Sequence, residues 1–168
     1  MFIAGVILLA FFAMALETTF LGLIKIRDIK PDLVLICSLY CAFYVEKPKA
    51  MAAGFFMGLV QDALTFGPLG VHAILNCFVV FIVSSSRENY LNENTLVEWV
   101  LSVVTIFLSS FVLAIVFLVD SGRNFSMEIW KDIFVMTGYT ILFLPPLFAV
   151  ITFFKTRFEK MNTGRVWP

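Results

Sequence analysis

The sequence predicts an all-α integral membrane protein with six transmembrane helices, and three observations predict it. Hydrophobic residues make up 61% of the 168 and charged residues only 14%, where soluble domains average roughly 45–50% apolar. Mean hydropathy is +0.96. The apolar residues fall into six runs, and none keeps the apolar/polar alternation of a membrane barrel. Helices are then the remaining way to satisfy backbone groups in lipid. A soluble domain of this length has too little interior to hide so much apolar surface, 20 Phe among it. Disordered chains and disulfide scaffolds are excluded on the same composition. The chain is read as one polytopic membrane domain, 1–168.

The segments run, in order, over Phe2–Ile24, Asp32–Val45, Ala50–Leu64, Pro68–Ser86, Glu98–Val119 and Asp132–Phe154. The first has no Lys or Arg before Lys25. It lacks the basic start of a cleaved signal and is read as a retained span. The second opens at Pro31-Asp32, where proline suits a helix start and a carboxylate complements the N-terminal dipole. It has 14 residues and the third 15, about 21–23 Å as helices. Such lengths point to a re-entrant or locally thinned region. Glu46-Lys47-Pro48-Lys49 between them reads as a tight charged turn of a helical hairpin. Gly67-Pro68 breaks the third from the fourth. Asn94 or Thr95 is placed to cap the fifth, and Ser126 to cap the lead-in to the sixth. Pro145-Pro146 removes two backbone donors inside the sixth and predicts a kink.

Basic residues in the short loops orient the spans. With the N-terminus inside, the cytoplasmic side holds Lys47, Lys49, Arg87, Lys155, Arg157, Lys160 and Arg165. The outer side holds Lys25, Arg27, Lys30, Arg123 and Lys131. Seven against five places both termini in the cytoplasm, with the Lys25–Lys30 turn dissenting. Net charge is zero, with 12 basic and 12 acidic residues, so the basic excess of a nucleic-acid binder is missing. Cys37, Cys41 and Cys77 lie in apolar runs without CxxC spacing and are read as small hydrophobes.

The third segment carries the most information. Ala50, Gly54, Gly58 and Asp62 recur every four residues and share one helical face. Gly54 and Gly58 form a GxxxG, a surface that lets another helix approach closely. Two readings stand side by side: packing within this bundle, or docking of a separate partner helix. Asp62 ends that face. It is read as a structural acceptor tying the turn together, as a partner contact, or as an ion-coupling group. His72 is the single histidine. Asn76 shares its face, and Asp62 and His72 flank one turn across which they can hydrogen-bond. A metal site needs three or four ligands and none is expected; no cofactor is expected either. Glu17, at the end of the first span, either snorkels to the interface or pairs with Lys25 or Arg27. No GxSxG, HExxH or phosphate-binding glycine loop is present.

Gly58-Leu59-Val60-Gln61-Asp62-Ala63-Leu64, then Pro68-Leu69-Gly70-Val71-His72-Ala73, resembles the core motif of the rod shape-determining protein family MreD. Pro31-Asp32-Leu33-Val34-Leu35 is similar to the opening of that family's second span, and Glu17-Thr18-Thr19 to the polar end of its first. From about Arg87 onward the likeness is one of hydropathy only. The resemblance implies a non-enzymatic scaffold of the cell-wall elongation machinery in the bacterial inner membrane. It implies binding to the bitopic protein MreC and, through it, association with MreB, RodA and a class B penicillin-binding transpeptidase. It also implies a fold like the S-component of energy-coupling-factor transporters, and it brings no catalytic residues. The residues expected at a partner surface are Ala50, Gly54, Gly58, Asp62, Pro68, Gly70 and His72; Glu17, Asp32 and Asn76 are expected as structural polar groups. The alternative is a vitamin-type binding subunit of a transporter. Such a subunit needs several polar groups converging on a pocket, and the spans offer few.

Overall fold

The structure is a computed structural model that describes residues 2–19, 31–65, 69–90, 95–121 and 127–163. It is all-helical there: α1 (Phe2–Thr19), α2 (Leu33–Tyr44), α3 (Lys47–Leu64), α4 (Val71–Tyr90), α5 (Thr95–Ser121) and α6 (Met127–Thr163). By length and composition, two stretches are apolar enough to cross a membrane, Val97–Val116 in α5 and Trp130–Phe153 in α6. Shorter apolar stretches lie at Leu8–Glu17, Leu33–Tyr44 and Val71–Arg87.

The short second segment is not peripheral. It is the hub. Every residue of Leu33–Phe43 is buried, and α2 touches α1, α3, α4, α5 and α6. The sequence explains this. LVLICSLYCAFY is apolar on all sides, and such a helix is stable only when neighbours enclose it. Lipid tails are as apolar as leucine, so the association rests on close packing and hydrogen bonds between helices rather than on escape from water.

Direction follows from the cross-links. α3 and α4 form an antiparallel hairpin in which Gly54 lies beside Val80 and Gly58 beside Ala73. α4 runs parallel to α2: Asp32 lies near His72 at one end, and Ser84 Oγ donates to the Ala42 carbonyl at the other. α6 also runs parallel to α2, with Thr140 beside Asp32 and Phe148 edge-on to Tyr40. α5 lies antiparallel to α6, pairing Phe107 with Phe134 and Phe111 with Trp130.

The helix limits differ from the expected ones. The Glu46–Lys49 turn is shorter than its charges implied. α3 begins at Lys47 with Pro48 in its first turn, a position where proline loses nothing, so only Val45 and Glu46 connect α2 to α3. α4 continues past Ser86 to Tyr90, because Arg87 caps α2 and holds that last turn against it. α6 carries Pro145 and Pro146 in its interior and extends to Thr163, far beyond its apolar run. α5 is described from Thr95 onward, and the Thr95 side chain, the alternative cap, lies outside what is described. Asn94, Ser126, Pro68 and the Lys25–Lys30 turn lie outside the described residues.

A carboxylate-capped polar centre as the candidate site

Asp32, Gln61, Asp62, His72, Asn76 and Thr140, all buried, gather where α2 and α4 begin and α3 ends. The junction is built from Asp62, in the last turn of α3 and 2% exposed. Its Oδ2 accepts from the backbone N–H groups of Gly70 and Ala73, each at 3.0 Å. Its Oδ1 accepts from the backbone N–H of His72 at 3.0 Å and lies 2.9 Å from His72 Nδ1. The first N–H groups of a helix have no partner within it and attract negative charge. α4 carries no capping side chain of its own at this point; the cap is supplied in trans by α3. Gly70 makes the geometry possible. Its φ of +93° turns the chain so that three backbone donors, from Gly70, His72 and Ala73, converge on one carboxylate, in a region that side chains rarely adopt.

A second layer surrounds the first. Asp32 caps α2 through a 2.8 Å bond from the Leu35 N–H to its Oδ1. The Asp32 N–H in turn donates to Thr140 Oγ1 on α6 at 3.2 Å. Thr140 donates its own proton to the Met136 carbonyl. Asn76 Nδ2 donates to Gln61 Oε1 at 3.4 Å, and the Gln61 side chain and His72 both lie near the Asp32 carboxyl. Four of the six helices, α2, α3, α4 and α6, are thereby tied together at one end, and α1 packs on α2 and α3. Glu17 sits half-buried near the end of α1; Lys25 and Arg27, its expected partners, fall outside the described residues.

The small-residue stripe fills the gap above this cap. Ala50 is fully buried. A Cβ on Gly54 would stand 2.8 Å from Val80 Cγ2, and one on Gly58 only 2.4 Å from the Ala73 Cα and the His72 carbonyl oxygen. The stripe receives a helix, and that helix is α4 of the same chain. The adjacent row, Ala53, Met57 and Gln61, is buried too, with Ser38 Oγ donating to Met57 Sδ across to α2.

Sequence reasoning missed three members. Gln61 was legible from the i, i+4 row Ala53-Met57-Gln61 that runs beside the glycine stripe. Arg87 counted only as a topology charge, yet its Nη1 donates to the carbonyls of Phe43 at 2.7 Å and Val45 at 3.1 Å. It closes the other end of α2 by capping its last turn. Thr140 had no sequence signal, since only the tertiary fold brings it to Asp32. Beside that end, Glu46 pairs with Lys49 at 2.6 Å, and this hydrogen bond holds the Glu46 carboxyl below the ordinary carboxylate range.

Chemically, the centre is a set of helix caps. Its carboxylates already accept from backbone donors, and among the described residues no three His, Cys, Asp or Glu side chains converge as a metal-ion set. The site is thus a structural polar core inside a helical bundle, two of whose helices are long and apolar enough to cross a membrane. The chain belongs to the MreD family: the model of the rod shape-determining protein MreD matches residues 1–155. Its role therefore lies in rod shape determination. Comparison with curated proteins and with solved structures gave no match.

Proposed function

We propose that this protein is a non-enzymatic scaffold of the cell-wall elongation complex. It spans the bacterial inner membrane several times with both termini in the cytoplasm, and it binds MreC, through which MreB, RodA and the transpeptidase are joined. The observation that carries this reading is the use made of the buried polar groups. Asp62, His72, Gln61, Asn76, Asp32 and Thr140 bind helix ends and one another. A transport subunit of the S-component kind needs such groups turned toward a ligand. A scaffold needs them turned inward, so that the surface offered to a partner holds its shape.

The stripe Ala50–Gly54–Gly58 then acts indirectly. It locks α3 to α4, and the lock shapes the surface around the Asp62 cap, with Leu69 83% exposed beside it, that MreC meets. Purification of the tagged chain from its native host in mild detergent, followed by mass spectrometry, tests the assignment. An MreC-like bitopic protein is the expected companion. Transporter ATPases with a coupling subunit, or a bound vitamin, would instead assign the chain to uptake.

A further inference from the structure

The end of the bundle opposite the Asp62 cap carries a polar cavity that the scaffold reading leaves unused. The α2–α3 turn and the last turns of α4 border it, with a volume of about 400 Å³ and a lining of Val45, Glu46, Lys47, Pro48, Ser84 and Arg87. Two cationic side chains, from different helices, thus face one space. Arg87 is held in place, because its Nη1 donates to the carbonyls of Phe43 and Val45. Both bonds come from one nitrogen, and a guanidinium carries five N–H groups in one rigid plane. The acid in the lining is engaged elsewhere: Glu46 is exposed and pairs with Lys49 at 2.6 Å. It makes no side-chain cap for α3, so the positive end of that helix dipole adds to the cavity. Ser84 Oγ is committed to the Ala42 carbonyl and shapes the wall.

The chain also marks the level of this cavity. The apolar stretches Leu33–Tyr44 and Val71–Arg87 both end at it. Tyr44 and Trp99 are exposed at the same end, where the Tyr44 hydroxyl donates to Glu98. Tyrosine and tryptophan favour the headgroup layer of a membrane. Away from the cavity, Phe81, Phe78 and Ile74 form one exposed apolar row along α4. The row begins at the cavity itself, since the Lys47 ammonium lies 4.8 Å from the Phe81 ring centroid. We propose that the cavity is a phosphate site, occupied by the headgroup of an anionic phospholipid whose acyl chains lie along that row. A planar guanidinium offers paired donors to phosphate oxygens. Lys47 adds a point charge, and the start of α3 adds its dipole. A free phosphate ion shares this chemistry but gains nothing from Phe81, Phe78 and Ile74.

The test uses the full chain in mild detergent. It is titrated with phosphatidylglycerol, with phosphatidylcholine of the same acyl chains, and with inorganic phosphate. Native mass spectrometry counts what each chain retains, and melting curves follow each titration. One retained phosphatidylglycerol per chain is expected, with a rise in melting temperature that phosphatidylcholine does not reproduce. Lys47→Gln should weaken retention about five-fold, the worth of one basic residue near an anionic surface. Arg87→Gln should weaken it at least as much. Lys47 takes no part in the Arg87 cap on α2, so its variant separates lost binding from a loosened helix end. Lys131→Gln removes the same charge at the start of α6, at the other end of the bundle, and should change nothing. Inorganic phosphate that protects the chain as well as the lipid does would support the phosphate site and overturn its lipid occupant. Equal retention of the two lipids overturns the proposal. So does phosphatidylglycerol held as tightly by both cavity variants as by the wild type, or lost equally from Lys131→Gln.

Discussion

Replacing Asp62 by Ala strands three backbone N–H groups and removes a partner of the His72 imidazole, all of which now share one carboxylate. Each buried polar group left unpaired costs about 1–3 kcal/mol, so the loss expected on thermal unfolding in detergent is at least about 3 kcal/mol. Asp62→Asn keeps one acceptor oxygen and turns a donor toward donors; it should fall between the two. Gly70→Ala isolates a different cause. Its Cβ would meet nothing within 4 Å, so the expected loss, about 1–2 kcal/mol, comes from the left-handed backbone alone. A neutral result for Gly70→Ala would mean that the turn relaxes to another conformation. These positions were partly legible beforehand. The i, i+4 recurrence from Ala50 to Asp62 located the carboxylate, and the shared turn placed His72 within its reach. The sequence carried no sign that Asp62 gathers the first N–H groups of α4, because that depends on where the next helix begins.

Between α3 and α4 the deciding quantity is distance. A Cβ on Gly58 would overlap backbone atoms, whereas one on Gly54 meets chiefly the end of a valine side chain. Backbone cannot step aside cheaply, and overpacking of this kind costs roughly 1–3 kcal/mol. Gly58→Ala should therefore lower the melting temperature more than Gly54→Ala, and Gly58→Leu should prevent the hairpin from closing. Equal effects for the two alanine variants would show that α4 moves as a unit to accommodate either. At the opposite end, Arg87→Ala leaves the Phe43 and Val45 carbonyls without their guanidinium donor. Amide exchange should then rise in the last turn of α2 and not in its first turn, which Asp32 caps independently. Helix order and approximate limits could be read from hydropathy, and the Asp32 cap from its place before an apolar run. The ends of α3, α4 and α6 could not. Lys47, Arg87 and the residues after Phe154 are polar, and only tertiary contact or the absence of a breaker keeps such residues helical.

In the bundle taken together, α2 is enclosed by the other helices and tied at both ends, by Asp32 with Thr140 and by Arg87. Hydropathy alone made α2 an anomaly too short to span comfortably. Its position explains the length, since a helix surrounded by protein need not match the bilayer. The caps then serve to hold α3 and α4 in one arrangement for a partner to meet. Asp62→Ala, Gly58→Leu and Gly70→Ala, expressed to the same membrane level, should be compared with the wild type for melting temperature and for MreC recovered in the same mild-detergent preparation. The two quantities should fall together, with Gly70→Ala the least affected in both. Loss of MreC from an Asp62→Ala chain that melts like the wild type would contradict this account, because it would make the carboxylate a direct partner contact and not the cap that shapes the surface.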